Sequence, residues 1–296
     1  MRILHLDAGK EMRGGQWQAL RLMEGLAAHG TESTLLAPEG SPLFEQARRA
    51  RYRVEPLGVS RLLTLARQHD LIHAHDARSH TLGLLAPGVP LVVARRVAFP
   101  VRSAWKYRRA RFFIAVSEFV KSVLREGGVP EEKIAVVYDG VPLLNPAGGG
   151  AVLALANAAD PRKGAPLAQE AARLAGVPLQ WTADLERDLP QAAVFVYLTH
   201  SEGLGSAALL AMAAGVAVVA SRVGGLPEII RHGENGILVE NSAPAIAKAI
   251  RDLTDTPGLA SRLGQAGRST VEEKFTNDRM VRQTTEVYRQ VLQVLS

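Results

Sequence analysis

The chain has 296 residues, of which 47% are apolar, 35 are lysine or arginine, 29 are acidic and none is cysteine. Such a composition fits an ordinary globular protein of one large domain or two of moderate size, and it excludes disulfides, zinc-thiolate sites and thiol nucleophiles. A reducing compartment suits a chain without cysteine, so the cytoplasm is the expected location.

The opening "MRILHLDAGKEMR" has too few consecutive apolar residues for the core of a signal peptide and reads as a first buried strand, "RILHL". After the loop "DAGKEMRGG", Ala19, Leu22, Met23, Leu26 and Ala27 fall on one helical stripe that Gly30 stops. Short apolar runs follow at "STLLA", "LIHAH", "PLVVA", "FFIAV" and "IAVVY", with helical stretches between several of them. Alternation of this kind is the signature of a parallel, doubly wound sheet. "NPAGGG", residues 145–150, is the best linker candidate, because a proline and three glycines are costly inside a strand or helix.

A second alternation runs through "AVLALAN", "PLQWTA", "AVFVYL", "VAVVAS" and "GILVE". Two Rossmann-like halves are therefore expected, the second rather small. Residues 207–220 form the longest apolar run, but Gly215 splits it and it is too short to cross a bilayer, so it reads as a buried helix followed by a buried strand. The tail is helical in pattern over 261–274 and 278–295, with Met280, Val287, Val291 and Leu295 near heptad-like spacing.

Charge is unevenly spread. No acidic residue occurs between Asp76 and Glu118, while Arg78, Arg95, Arg96, Arg102, Lys106, Arg108, Arg109 and Arg111 do, interleaved with Phe99, Trp105, Tyr107, Phe112 and Phe113. Two readings are open: a solvated basic helix, or a surface for anionic lipid headgroups or a phosphorylated acceptor. Nucleic acid is not an expected partner, because no helix-turn-helix, zinc or RNA-recognition motif accompanies the charge.

The stretch most suited to chemistry is "THSEGLG", which leaves the end of the strand "AVFVYL" and enters a helix near Gly205. Its glycines let a ligand approach the backbone, and a helix N-terminus offers N–H groups and partial positive charge to a phosphate. In its full context, "EGLGSAALLAMAAGVAVVASRVGGLPEIIRHGENGILV" resembles the nucleotide-sugar-binding segment of the retaining GT-B glycosyltransferases of family four, the group 1 enzymes. Gly14-Gly15 after the first strand, "IHAHD" at 72–76, "IAVSEFVKSVLREGGVPEEKIAVVYDGV" at 114–141 and "RKG" at 162–164 resemble the same family in the same order. Bacterial enzymes that build lipopolysaccharide or other cell-surface glycans are the members it looks most like.

The resemblance implies an α/β protein of two Rossmann-like domains facing a cleft: residues 1–146 on the acceptor side, 147–277 binding the sugar nucleotide, and a helix over 278–296 returning to the first domain. It implies transfer of a sugar from a nucleoside diphosphate sugar to a glycan or glycolipid, with no cofactor and no metal. Lys163 would carry the diphosphate charge and Glu202 would contact the transferred sugar. Gly203, Leu204 and Gly205 would face sugar and phosphate with their backbone, Gly14 and Gly15 would close on the diphosphate, and His75 and Arg96 are further substrate-side candidates. The basic aromatic segment would meet an anionic acceptor or the inner membrane, peripherally.

Each assignment has a plainer alternative: a solvated turn for Arg162 and Lys163, a helix cap for Glu202, and two strand residues on one face for His73 and His75, only two clustered histidines with no third metal ligand in view. The sequence also departs from the family. Leu210 stands where a second glutamate usually grips the ribose, and Ala158 where an arginine usually joins the lysine, with Arg162 as a substitute. Only 37 residues separate Gly164 from Glu202, which implies a second domain shorter by about one β-α unit. Two readings stay open: a working transferase that holds its donor differently, or a catalytically impaired relative that retains glycan or lipid binding.

Overall fold

The computed structural model describes residues 1–155 and 164–293. Two compact units divide the chain, one of Met1–Gly140 with Asn277–Ser296 and one of Val141–Thr276.

In the first unit, seven strands form one parallel sheet: β1 (Arg2–Leu6), β2 (Glu32–Ala37), β3 (Arg53–Pro56), β4 (Leu71–Ala74), β5 (Leu91–Arg95), β6 (Phe112–Ala115) and β7 (Ile134–Val136). Their order is β3-β2-β1-β4-β5-β6-β7, so the winding reverses between β1 and β4. The helices are α1 (Gly14–Ala28), α2 (Pro42–Arg49), α3 (Val59–Ala66), α4 (Ala77–Gly83), α5 (Ala104–Arg109) and α6 (Glu118–Glu126). Strands β4, β5 and β6 are buried at every residue, as expected where both faces of a parallel sheet are covered. Strand β3 has no clear signal in the sequence: it is a half-exposed edge that ends on Pro56, so it lacks the apolar run that marks its neighbours.

In the second unit, β8 (Ala151–Leu155), β9 (Leu179–Thr182), β10 (Ala192–Tyr197), β11 (Ala217–Ser221) and β12 (Ile237–Val239) form a parallel sheet of order β12-β11-β10-β8-β9. The chain continues through α7 (Ala165–Ala175), α8 (Leu185–Asp188), α9 (Ser206–Ala213), α10 (Leu226–Ile229), α11 (Ala243–Asp255) and α12 (Leu259–Lys274). Valines 152, 194, 196 and 219 pack with Ile246, Ile250 and Leu263 in its core.

The last helix, α13 (Asn277–Gln293), belongs to the first unit. Its Met280, Val281, Val287, Tyr288 and Val291 share a core with Ile3, Leu22, Leu26, Leu71 and Phe112. Helices α1 and α13 meet at Gly25, where a Cβ would lie 2.3 Å from Val281 Cγ2. Ala27, although on the apolar stripe of α1, is exposed.

Residues 145–150 are not a free linker. The division falls earlier, at Gly140, because the Val141 N–H donates to the Phe275 carbonyl at 2.9 Å and the Ala147 N–H to that of Ala214 at 2.8 Å. A Cβ at Gly149 would lie 2.0 Å from the Gln191 carbonyl oxygen. Here glycine serves close packing against the second unit.

The same logic governs Gly264 in α12, whose Cβ would lie 1.9 Å from the Gly215 carbonyl oxygen. Gly264→Ala must push α12 away from the turn between α9 and β11, and is expected to destabilise the second unit by about 3 kcal/mol. Thermal unfolding checks this; an unchanged melting temperature would mean the contact is not tight.

Candidate functional site

In the second sheet β8 lies between β9 and β10, which makes the carboxyl ends of β8 and β10 the point where the winding reverses. Ligands of open α/β sheets bind at such a point. The loop leaving β8 carries Ala158, Arg162 and Lys163, which lie outside the described residues. The loop leaving β10 carries Glu202.

Glu202 is half-buried and held at both oxygens: Oε1 accepts the Gly203 N–H at 3.0 Å and Oε2 accepts the Tyr197 hydroxyl. Burial, reinforced by the Glu202 charge, pushes the Tyr197 phenol well above its ordinary pKa, so it remains a donor. Tyr197 was not singled out in the sequence, although it ends β10 five residues before the glutamate. The start of the loop is fixed by a triangle: Thr199 N–H to Ser221 Oγ at 3.0 Å, Ser221 Oγ to Asn241 Oδ1 at 2.5 Å, and Asn241 Nδ2 to the Thr199 carbonyl at 3.0 Å. Its end is Gly205, which caps α9 in the left-handed region at φ 110°. Gly203, Leu204 and Gly205 are buried.

Behind this loop stand Gly224 and Gly225. A Cβ on either would lie 2.0 Å from the Glu202 carbonyl oxygen or 2.1 Å from that of Gly203. Leu210, one turn along α9, is only 8% exposed and apolar, so it offers a ligand no hydrogen bond. Gly164, which follows Lys163 in sequence, adopts φ 63° and caps α7 against Leu198, where a Cβ would lie 2.7 Å from the leucine Cβ.

The first unit has its own reversal point, at the carboxyl ends of β1 and β4. Asp7, fully buried, accepts from the Gly9 N–H at 2.8 Å and from Gln16 Nε2 at 3.0 Å, and burial raises its pKa. Asp76 caps α4 and takes the Ala8 N–H at 2.6 Å, tying the two loops together. Gly14 and Gly15 open α1, and a Cβ at Gly15 would sit 3.9 Å from Arg96 Cδ. Arg96 pairs with Asp139 at 3.2 Å and approaches His75 Nδ1 at 3.4 Å. The structure thus gathers Gly14, Gly15, His75 and Arg96 at one end of the first sheet, and Glu202, Gly203, Leu204 and Gly205 at one end of the second.

A third histidine joins His73 and His75. His5 on β1 lies directly opposite His73 on β4, and the three rings put one nitrogen each within 4.8 Å of the others. Spacing along the chain hides this, because strand pairing supplies the third member. By count the trio could hold a metal, but its bonding favours another use. Arg96 has only N–H donors, so it leaves the His75 proton on Nε2, aimed at His5 Nδ1 2.9 Å away; His5 Nε2 in turn faces Ser33 Oγ at 3.3 Å. Nitrogens that share a proton do not present two lone pairs to a cation, and the Arg96 charge opposes one. His73 Nδ1 meets the Tyr288 hydroxyl at 2.6 Å.

The basic segment is split in character. Arg95 is buried over the Tyr107 ring and Lys106 Nζ donates to the Ala77 carbonyl at 2.6 Å, whereas Arg102, Arg108 and Arg109 are exposed with Phe99 and Trp105. Among the described residues no helix is long and apolar enough to cross a membrane.

Comparison with known proteins identifies the family. Residues 12–143 match the Glycosyltransferase Family 4 model, and residues 178–270 match the model of Glycosyl transferases group 1. The chain belongs to the family 4, group 1 glycosyltransferases. It is 38% identical over 117 residues to the alpha-maltose-1-phosphate synthase of Mycolicibacterium smegmatis, a match covering 37% of this chain and only 30% of that protein. In fold it matches Anabaena HepE, solved in complex with UDP and glucose, with a TM-score of 0.85 at 17% identity over 98% of this chain and 99% of that one. It also matches the lipopolysaccharide outer core galactosyltransferase WaaB, with a TM-score of 0.73 at 13% identity over 98% of this chain and all of that one. The fold of this glycosyltransferase family member is therefore GT-B.

The histidines carry a pH signature. Burial lowers His5 and His80 from 6.5 to about 3, and His73 and His75 well below 6.5. A folded-state pKa below the unfolded one means stability is complete above about pH 6.5 and is lost as pH falls toward the folded values, by about 1.4 kcal/mol per pH unit for each histidine. Asp7, raised by burial, titrates with the opposite sign. The melting temperature is expected to drop steeply below about pH 6.5; a flat profile down to pH 5 or so would show that these rings accept protons in the folded state.

Proposed function

We propose that the protein is a retaining glycosyltransferase that moves a sugar from a nucleoside diphosphate sugar to a glycan or glycolipid of the cell envelope. The observation that carries this reading is Glu202, fixed by Tyr197 and by its own loop at the capping end of α9, where the second sheet reverses. A carboxylate so held is a sugar-hydroxyl acceptor whose position costs no further ordering. Beside it, first-turn N–H groups of α9 lack i−4 carbonyls and suit the charge of a departing diphosphate. Lys163, with Arg162, supplies the countercharge, and Gly14 and Gly15 are assigned to phosphate contact at the start of α1.

In the reaction the bond from the anomeric carbon to the diphosphate oxygen breaks and a bond to the acceptor oxygen forms on the same face. The acceptor proton passes to the departing diphosphate, so no side chain need act as base. Fixed donors that meet the leaving charge supply the largest catalytic term. HepE binds UDP in its crystal, which makes UDP the first nucleotide to test. His75 and Arg96 are assigned to the acceptor side, and the lipopolysaccharide-type acceptor follows the likeness to WaaB.

One observation favours a second reading, a relative with impaired catalysis: apolar Leu210 cannot grip ribose. Calorimetric titration with UDP, GDP, ADP and their sugars separates the two. Saturable binding that weakens roughly tenfold to a hundredfold in Lys163→Ala and in Glu202→Ala is expected. Absence of binding to every nucleotide at millimolar concentration would leave only the impaired relative.

The exposed Arg102, Arg108 and Arg109 with Phe99 and Trp105 provide peripheral attachment to an anionic membrane surface, since rings enter the interface while guanidinium groups meet phosphate. Co-sedimentation with anionic liposomes should be strong at low salt and fall severalfold at high salt. Equal binding to neutral and anionic liposomes would remove this attachment from the proposal.

A further inference from the structure

At the amino end of the first sheet, opposite the loops described above, lies a cavity of about 530 Å³. It is lined by the starts of three adjacent strands and the ends of the helices before them, including Arg2, Ser33, Arg51, Tyr52, Arg53 and His69. Its volume falls in the range of small-molecule sites. No role in sugar transfer reaches this end of the sheet, because ligands of such sheets bind at the carboxyl ends of strands.

Three features give the cavity a chemical preference. Arg2 is held by Asp70, with a 3.4 Å ion pair, but Arg51 and Arg53 have no carboxylate within ion-pair distance among the described residues. Positive charge is felt inside: burial lowers the pKa of His69, and Arg53 and Arg2 lower it further. His69 is thereby kept neutral, bonded to Thr34 Oγ1 at 2.9 Å and the Leu65 carbonyl at 2.7 Å. One acidic lining residue, Glu32, is exposed and tempers the field without pairing with either free arginine.

The second feature is strain. Arg51 has φ 62°, and it is the one non-glycine residue at positive φ among the described residues. It occupies the position after the end of α2 where glycine is favoured, with its own N–H bonded to the Arg48 carbonyl and the Tyr52 N–H to the Ala47 carbonyl, both at 3.0 Å. Keeping an arginine at that position is costly for the fold, and an outlier of this kind points to a use for the side chain. Tyr52 supplies the third feature, an aromatic wall next to the charge.

We propose that this cavity binds a small phosphomonoester, its phosphate paired with Arg51 and Arg53 and its organic part against Tyr52. Guanidinium groups suit the site because their planar donors match phosphate oxygens two at a time. Ser33 Oγ, at the cavity wall, is also the end of the His75–His5 hydrogen-bonded chain, so an occupant would sit one hydrogen bond from it.

The experiment follows thermal stability during titration with phenyl phosphate, at ionic strength held constant by chloride, in the wild type, Arg51→Gly, Arg53→Gln and Lys163→Ala. The wild type should show a saturable rise in melting temperature. Arg51→Gly relieves the strained backbone, so it should melt at or above the wild type without ligand, yet need roughly tenfold more phenyl phosphate. Arg53→Gln should weaken the response similarly, and Lys163→Ala should respond as the wild type does. No saturable rise in the wild type, an unchanged response in Arg51→Gly and Arg53→Gln, or a response lost in Lys163→Ala alone would each overturn the proposal; the last would assign the phosphate to the donor loop.

Discussion

The contact on which the second unit's site depends is between backbones. The carbonyl oxygens of Glu202 and Gly203 occupy the space that Cβ atoms at positions 224 and 225 would fill. Two glycines after β11 thus let the loop after β10 fold back on itself, and only in that position do the Gly203 N–H and the Tyr197 hydroxyl both reach the Glu202 carboxylate. The orientation of a charged side chain is set by residues more than twenty positions away. This also accounts for the glycines of "GGLPE": close approach of the loop backbone requires them.

The first unit solves a similar problem with polar side chains. Parallel strands β1 and β4 carry histidines on one face, where burial would leave several ring nitrogens unsatisfied. Arg96, Ser33 and Tyr288 meet most of that need from three separate elements, leaving His73 Nε2 without a partner among the described residues, and Asp139 fixes Arg96 in turn. The chain from Arg96 through His75 and His5 to Ser33 specifies one arrangement of its members because each proton in it has one place to go. Arg96 and His75 are therefore pre-oriented at the end of the sheet where Gly14 and Gly15 begin α1.

Most of the strands were legible because a parallel sheet covered on both faces writes itself as short apolar runs. Strand β3 was not, since an edge of Arg53, Val54, Glu55 and Pro56 carries no such run. Sequence alone pointed to Glu202, Gly205 and Gly14-Gly15, and the structure places them at the carboxyl ends of the strands in their own units. The site was illegible where partners come from pairing across the sheet: His5 is 68 residues from His73, and only strand register brings them together. The reading of residues 145–150 failed for a related reason. A glycine that avoids a carbonyl, as Gly149 does, looks in sequence like one that confers freedom.

Leu210 shows how far local packing constrains α9. It lies on an eight-residue helix whose residues from Ala208 to Ala213 are all buried, and it is itself 8% exposed. A carboxylate placed there would lose most of its hydration and find no partner until a nucleotide arrived, a cost of several kcal/mol in the empty protein. Leucine removes that cost and adds apolar contact of about 2 kcal/mol. Leucine at 210 thus favours the stability of α9, the helix that the loop of Glu202 enters. In the proposed reading, donor affinity would then come from the charge of Lys163 and Arg162 and from groups that act on phosphate, so recognition would shift from the ribose to the diphosphate end of the nucleotide.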